Sequence, residues 1–425
     1  MKKMALTTVG CRLNQYETEQ IAAKLSGCGL HRVPFSEKAD LYILNTCTVT
    51  GRADSDCRNL IKRAYRLNPD AVMVVAGCYA VSEKEMLSEM NSVDLVVNNK
   101  QKMELPDLLM GKYPILFQEG DIGHASCLKK TDLPDQIINQ PNRPMVQIGT
   151  GCNQNCSYCV VPRVRGELVS FSSNKIIHEI KKLVIKGYHE AVLTAVHVGK
   201  YEYNGLNLAG LIKMILKDTR LSRLRLSSLE PNELDDDLID FVANNPRVCR
   251  HLHLPLQSGS DRILKLMNRP YTRSGYLKII ERVKNKDEMI TIGCDLIVGF
   301  PGETDEDFEN SLNILNSGFL DYGHVFSYSD RPGTRASDMP EKINPSIIKE
   351  RSGIAREISD KILSRHMKKH IGNELNVISQ NTKNNEGYYY AVSDNYLKIL
   401  LPKEIGGGKE IIQFIPSQMG GGLLI

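Results

Sequence analysis

No window of 18 consecutive apolar residues occurs in this chain, so no segment reads as a membrane-spanning helix. Charge of one sign is not in marked excess either. A net charge of +4 over 425 residues permits a nucleic-acid partner without arguing for one. The opening MKKMALTTVGCRLNQYE lacks the apolar core and small-residue cleavage site of a signal peptide, and reads as a first β-strand. The expected compartment is therefore the cytoplasm, where thiols are more often ligands or core residues than disulfides. Tryptophan is absent, from which nothing follows. No internal repeat is present. The Gly-rich tail, GGGKE and then GGGLLI, matches no phosphate loop and reads as turns. What is there is ordinary for a globular protein: 41% apolar and 24% charged residues, in a chain long enough for about two or three domains.

The pattern divides the chain into α/β, α/β and all-β parts. MALTTVG, LYILN, AVMVVAG and LVVNN are short apolar runs. Helix-like segments near residues 15–26 and 54–67 separate the first three, so residues 1–118 read as a small parallel α/β domain. Residues 119–143 are rich in Pro, Asn and Asp and read as a linker. Six candidate strands follow in residues 144–344: MVQIG, EAVLTA, RLRLSS, HLHLPL, TIGCDLIVGF and YGHVFSY. Six βα units are too few for a closed eight-fold barrel and suggest an open, partial (β/α)6 barrel. Residues 345–371 read as a basic helix, and residues 372–425 as a small all-β domain.

Three cysteines fall within eight residues in GCNQNCSYCVVPRVRG, as Cys152, Cys156 and Cys159. A disulfide cannot use three sulfurs evenly. Tetrahedral zinc wants four ligands, and no fourth Cys or His lies within fifteen residues on either side. An iron–sulfur cluster with one iron left open fits the count. A partial zinc site is the plain alternative. The N-terminal domain has a second set: Cys11, Cys47 and Cys78 each follow one of the first three expected strands, and in a parallel sheet those ends share one edge. Cys28, Cys57, Cys127, Cys249 and Cys294 show no such pattern and read as structural.

The triple cysteine, after a strand and at the head of a partial barrel, resembles the radical S-adenosylmethionine superfamily. With TVGCRLNQYETE, NTCTVT, HLPLQSGSD and DLIVGFPGET, nearly the whole chain resembles the methylthiotransferases. That resemblance implies an N-terminal cluster domain, a radical S-adenosylmethionine barrel and a C-terminal RNA-binding TRAM domain. It implies two 4Fe–4S clusters, on Cys11, Cys47, Cys78 and on Cys152, Cys156, Cys159. It also implies two S-adenosylmethionine molecules, one a methyl donor and one cleaved to a 5′-deoxyadenosyl radical, which is needed because an adenine C2–H is not acidic. The residues after Cys11 are similar to the MtaB type, which implies tRNA as partner and N6-threonylcarbamoyladenosine at position 37 of the anticodon stem-loop as target. An external electron donor is implied as well. Rival readings are the same chemistry on N6-isopentenyladenosine or on a ribosomal-protein aspartate, and a non-enzymatic zinc-binding RNA module.

Within that frame Tyr158 fits the aromatic placed near the adenine. Candidate S-adenosylmethionine contacts at strand ends are His197, Ser228, Glu230, Gln257, Ser258 and Asp295. Ala195 departs from the family's usual Gly and adds a methyl group to the loop that carries His197. Arg163, Arg165 and Arg269 are candidate RNA contacts, with Tyr388, Tyr389 and Tyr390 a possible stacking face of which at least one points inward.

Overall fold

The computed structural model describes residues 1–117 and 142–425; residues 119–141 of the expected linker lie outside the described residues, as does Cys127. The first unit is a five-stranded parallel sheet of β1 (Lys3–Thr8), β2 (His31–Val33), β3 (Leu41–Thr46), β4 (Val72–Gly77) and β5 (Leu95–Val97), in the order β2-β1-β3-β4-β5. Every residue of β3 is buried, because helices cover both faces. Alternation sorts its side chains: Leu41 and Ile43 pack with Ile21 and Leu25 of the helix Arg12–Gly27. Tyr42 and Leu44 pack with Ile61 and Ala64 of the helix Gly51–Leu67. The edge strand β2 was not expected, since His-Arg-Val buries only Val33 and shows no apolar pattern.

The second unit contains all six expected strands. They are β6 (Met145–Gln147), β9 (Glu190–Thr194), β12 (Arg223–Leu226), β13 (His251–His253), β14 (Thr291–Val298) and β15 (Tyr322–Ser327). Two-residue hairpins, β7 (Gly149–Thr150) with β8 (Val169–Ser170) and β10 (Glu202–Tyr203) with β11 (Leu206–Asn207), interrupt the series. The parallel strands form two triplets, β6-β9-β12 and β13-β14-β15. The triplets are stitched by a Leu224–Val248 bridge and a 3.0 Å bond from Leu229 N–H to the His253 carbonyl. The helix Pro345–Lys368 lies along β15, and Ser359 Oγ there bonds the Gly323 N–H at 3.0 Å.

The third unit is a sheet of β16 (Leu375–Lys383), β17 (Tyr389–Ser393), β18 (Lys398–Leu401), β19 (Ile411–Phe414), β20 (Met419–Gly420) and β21 (Leu423–Leu424). The last two correct the turn reading of GGGLLI: Gly421 and Gly422, at φ +58° and +74°, make a turn, but short strands flank it. Cys28, Cys57, Cys249 and Cys294 are buried in the cores, as expected. No helix among the described residues is long and apolar enough to cross a membrane.

Candidate functional site

The loop after β7 carries Cys152, Cys156 and Cys159, all half-buried. Gly151 makes it possible: at φ +72°, a Cβ there would lie 1.8 Å from the Glu167 carbonyl oxygen. The three thiols are close enough to act on one another electrostatically. Each sulfur has a distinct surrounding. Cys152 Sγ accepts the Gln154 N–H at 3.4 Å and lies 3.6 Å from His197 Nδ1. Cys156 Sγ accepts from Arg269 Nη1 at 3.1 Å. Burial pushes the Cys159 thiol up to about 12. Burial opposes charge on His197, but its hydrogen bonds to Cys152 and to Glu233, 2.7 Å away, raise it to about 9.

The other set is built by topology. Cys11, Cys47 and Cys78 follow β1, β3 and β4, whose ends share an edge because the strands are parallel. The order changes direction at β1, where such sheets open a crevice. Two glycines let the loops converge. At Gly10 (φ +120°) a Cβ would lie 2.4 Å from Cys47 Cβ, and at Gly77 (φ +101°) one would lie 2.6 Å from the Thr46 carbonyl oxygen. Asn14 Nδ2 ties the loops by donating to the carbonyls of Val9 (3.2 Å) and Thr46 (2.9 Å). Cys47 Sγ accepts the Val49 N–H at 3.4 Å, and Cys78 Sγ lies 3.5 Å from Asn99 Nδ2. Burial raises Cys47 to about 11, with Cys78 and Cys11 adding to the rise.

The chemistry of the donor sets suits an iron–sulfur centre: each is three free thiols, the ligand type such clusters take. Separately, His253, Asp295 and His324 bring three ligand atoms within 4.8 Å of one another.

The two sets face each other. Cys78 packs against Val160 and Val164 of the barrel loop, and Asn99 Nδ2 donates to the Val164 carbonyl at 2.8 Å. Beside them opens a cleft of about 230 Å³, walled by Val49 and Thr50 on one side and by Tyr158, Cys159, Val160, Ile297, Phe326 and Tyr328 on the other. Gln257 and Asp295 supply polar atoms to it. Gln257 sits at φ +63°, an unusual conformation for a non-glycine. Burial would raise the Asp295 carboxyl, but His253 (3.0 Å) and His324 (3.4 Å) hold it well below its usual range.

Of the sequence candidates, Tyr158, Gln257 and Asp295 line the cleft, and His197 is at the cysteine loop. Ser258 does not line it: its side chain is fully buried and Oγ accepts the Ser260 N–H. Ser228 is exposed beyond β12, and Glu230 is ion-paired with Arg269. Two RNA candidates require correction. Arg165 is buried, with Nη1 2.9 Å from Glu17 Oε1 and Nη2 3.0 Å from Oε2. The Arg269 side chain is 2% exposed, held by Glu230, Cys156 and the Tyr271 hydroxyl. Neither can meet a phosphate. Arg163 is exposed and donates to the Pro332 carbonyl at 2.8 Å. Tyr389 packs into the core of the third unit, as alternation required, and Tyr388 and Tyr390 are half-buried. Phe326 and Tyr328 were missed; alternating inward positions at the end of the sixth strand were their signal.

Comparison with known proteins agrees with this architecture. Residues 146–315 match the radical SAM superfamily, and residues 3–98 match a family described as uncharacterized protein family UPF0004. A threonylcarbamoyladenosine tRNA methylthiotransferase MtaB of Aquifex aeolicus is 36% identical over 93% of this chain and 98% of its own length. An MtaB of Bacillus subtilis is 32% identical over 94% of this chain and 90% of its own. A tRNA-2-methylthio-N(6)-dimethylallyladenosine synthase of Aquifex aeolicus is 35% identical over 91% and 89%. Among solved structures, the radical S-adenosylmethionine methyltransferase TsrM of Kitasatospora setae, with cobalamin and a 4Fe-4S cluster bound, shares the fold at TM-score 0.57 and 15% identity, covering 79% of this chain and 74% of that one.

Proposed function

Because this chain belongs to the methylthiotransferase family of radical S-adenosylmethionine enzymes, we propose that it converts N6-threonylcarbamoyladenosine at position 37 of tRNA to the 2-methylthio derivative. The observation that carries this reading is the approach of two cysteine-bearing loops: Cys78 packs on Val160 and Val164 of the barrel loop, and Cys159 lines a cleft whose other wall is Val49 and Thr50, just after Cys47. Cys152, Cys156 and Cys159 would hold one 4Fe–4S cluster, and Cys11, Cys47 and Cys78 a second. When bound, the clusters and two molecules of S-adenosylmethionine supply homolytic carbon–sulfur cleavage, a transferable sulfur and its methyl group.

The protein supplies placement and seclusion. Tyr158, Ile297 and Phe326 offer apolar walls to a flat base, while Gln257 and Asp295 offer polar partners to ribose hydroxyls or an ammonium group. Arg269 places positive charge 3.1 Å from Cys156 Sγ and keeps Glu230 beside the loop. Thr50 and Val49 cover the cleft from the side of the N-terminal cysteines and restrict water. Arg163, exposed next to the loop, and the third unit are the RNA-facing candidates.

The resemblance to the dimethylallyladenosine synthase favours one other reading, the same reaction on N6-isopentenyladenosine. One experiment separates them. The reconstituted enzyme is incubated with reductant, S-adenosylmethionine and tRNA bearing either modification, and the nucleosides are analysed by mass spectrometry. Methylthiolation of the threonylcarbamoyl substrate alone supports the proposal; methylthiolation of the isopentenyl substrate alone overturns it.

A further inference from the structure

At the end of the barrel where the strands begin, positive charge is not balanced. Arg225 Nε is 2.8 Å from Glu190 Oε1, Arg223 Nε bonds Oε2, and Arg143 Nη1 stands 3.8 Å from Oε1. Glu190 is fully buried. Arg223 and Arg225 are otherwise occupied, donating to the carbonyls of Asn376, Val392, Ser393 and Asp394 in the third unit. Arg143 Nη1 is buried without a hydrogen-bond partner. A fourth guanidinium, Arg12, arrives from the N-terminal unit. It donates to the Tyr396 hydroxyl and lies 5.6 Å above that ring. Among the described residues no carboxylate pairs with Arg12.

Tyr396 is shaped for this contact. It sits at φ +69°, a costly conformation for a tyrosine. Its ring stacks on His251 at 4.3 Å and under Arg225 at 5.4 Å. Burial pushes its phenol up, yet Arg12, Arg143 and Arg225 bring it below its ordinary value. Four guanidiniums therefore meet one carboxylate, and even a phenolate would leave positive charge in excess. Such an excess away from water is expensive without an anion.

The place is connected to the cleft. Tyr322 Oη is 2.8 Å from His251 Nε2 and 3.1 Å from His253 Nδ1, and His253 Nε2 is 3.0 Å from Asp295, which lines the cleft. His324, on the same side of Asp295, has a side chain 53% exposed, so this wall is open to solvent.

We infer that Arg12, supported by Arg143, is a receptor for a carboxylate on the N6 substituent of the target nucleoside. The inference rests on the threonylcarbamoyl reading, because that substituent carries a carboxylate and an isopentenyl group does not. A guanidinium receives a carboxylate in two parallel hydrogen bonds. Arg12 follows Cys11 directly, so the receptor and the cysteine loop are fixed to each other on one turn of chain. Tyr396 is a positioning residue: its hydroxyl aims Arg12.

The test uses the full-length reconstituted enzyme and two tRNAs, one bearing threonylcarbamoyladenosine and one bearing its methyl ester. For the wild type, capping the carboxylate should raise KM about tenfold or more. Arg12→Met should treat the two tRNAs alike, near the wild-type value for the ester, while Arg12→Lys should keep part of the discrimination. Unchanged iron content certifies the fold of each variant; if Arg12→Met loses iron, Tyr396→Phe carries the same comparison. Equal use of both tRNAs by the wild type overturns the receptor, as does a Met variant that still discriminates. A Met variant weakened equally on both tRNAs reports an RNA phosphate contact and also overturns it. If the wild type modifies only isopentenyl tRNA, the substrate reading itself fails, a result distinct from all of these.

Discussion

Glu179 is a carboxylate in a place that does not favour charge. Its helix, Ser173–Ile185, packs against the N-terminal unit, and its Oε1 accepts the Tyr16 hydroxyl at 3.0 Å. Burial raises the carboxyl to about 7, although Tyr16, Lys175 and Lys182 pull the other way. The unfolded chain would titrate near about 4.3. Between those values the folded state holds the extra proton, so this group makes stability fall as pH rises towards 7, with no further change above. Glu179→Gln keeps an acceptor for Tyr16 and removes the titration. Relative to wild type, the variant should gain stability from pH 5 to 7 and level off at up to about 3 kcal/mol. Anaerobic unfolding midpoints of the two proteins across pH 5 to 8 check this; parallel curves would rule Glu179 out as the source. Single side chains were also where the sequence was least legible. Arg163, Arg165 and Arg269 look equivalent as letters, yet only Arg163 is exposed. What separates them is a buried acid brought from elsewhere in the chain: Glu17 for Arg165 and Glu230 for Arg269. No local spacing encodes that.

Elements were far more readable, and the reason is periodicity. Six barrel strands and the helix Pro345–Lys368 stand where apolar alternation and helical spacing put them, because each buries enough of its side chains to leave a pattern. The edge strand β2 buries only Val33, and the pair β20–β21 only Leu424, so neither leaves one. The meeting of Cys11, Cys47 and Cys78 was legible only through topology, as equivalent positions after parallel strands. The turn after β1 enforces that meeting. A side chain at Gly10 would strike Cys47 Cβ at 2.4 Å, and the backbone there is in a conformation that only glycine adopts freely. Gly10→Ala should therefore push the Cys11 and Cys47 loops apart. The expected result is loss of about half the iron of the reconstituted protein, as loss of one of the two proposed clusters requires, while cleavage of S-adenosylmethionine persists. Iron and acid-labile sulfide analysis, with 5′-deoxyadenosine as the second readout, decides it. Full iron content in the variant would mean the loops tolerate the methyl group.

At the scale of the molecule, the helix Arg12–Gly27 holds the three units together. Arg12 reaches Tyr396 of the third unit, Tyr16 reaches Glu179 of the barrel, and Glu17 receives Arg165 from the cysteine loop. Lys102 joins Glu17 from the other side, both side chains almost fully buried. Removing one member of such a cluster leaves charge without compensation and costs about 3–5 kcal/mol. Here that loss falls on the junction rather than on either core, since each unit keeps its own apolar cluster. Arg165→Met should thus leave both cysteine sets able to hold iron but loosen their mutual placement. In the reaction proposed above, radical formation needs only the barrel set, whereas sulfur transfer needs both sets in register. A misplacement of about 1 Å can cost on the order of 100-fold in a positioned reaction. The variant should still form 5′-deoxyadenosine, with a ratio of 5′-deoxyadenosine to methylthiolated tRNA at least about tenfold above wild type. An unchanged ratio would mean that the junction carries stability alone and that the register between the cysteine sets is fixed by the Cys78–Val160–Val164 contact.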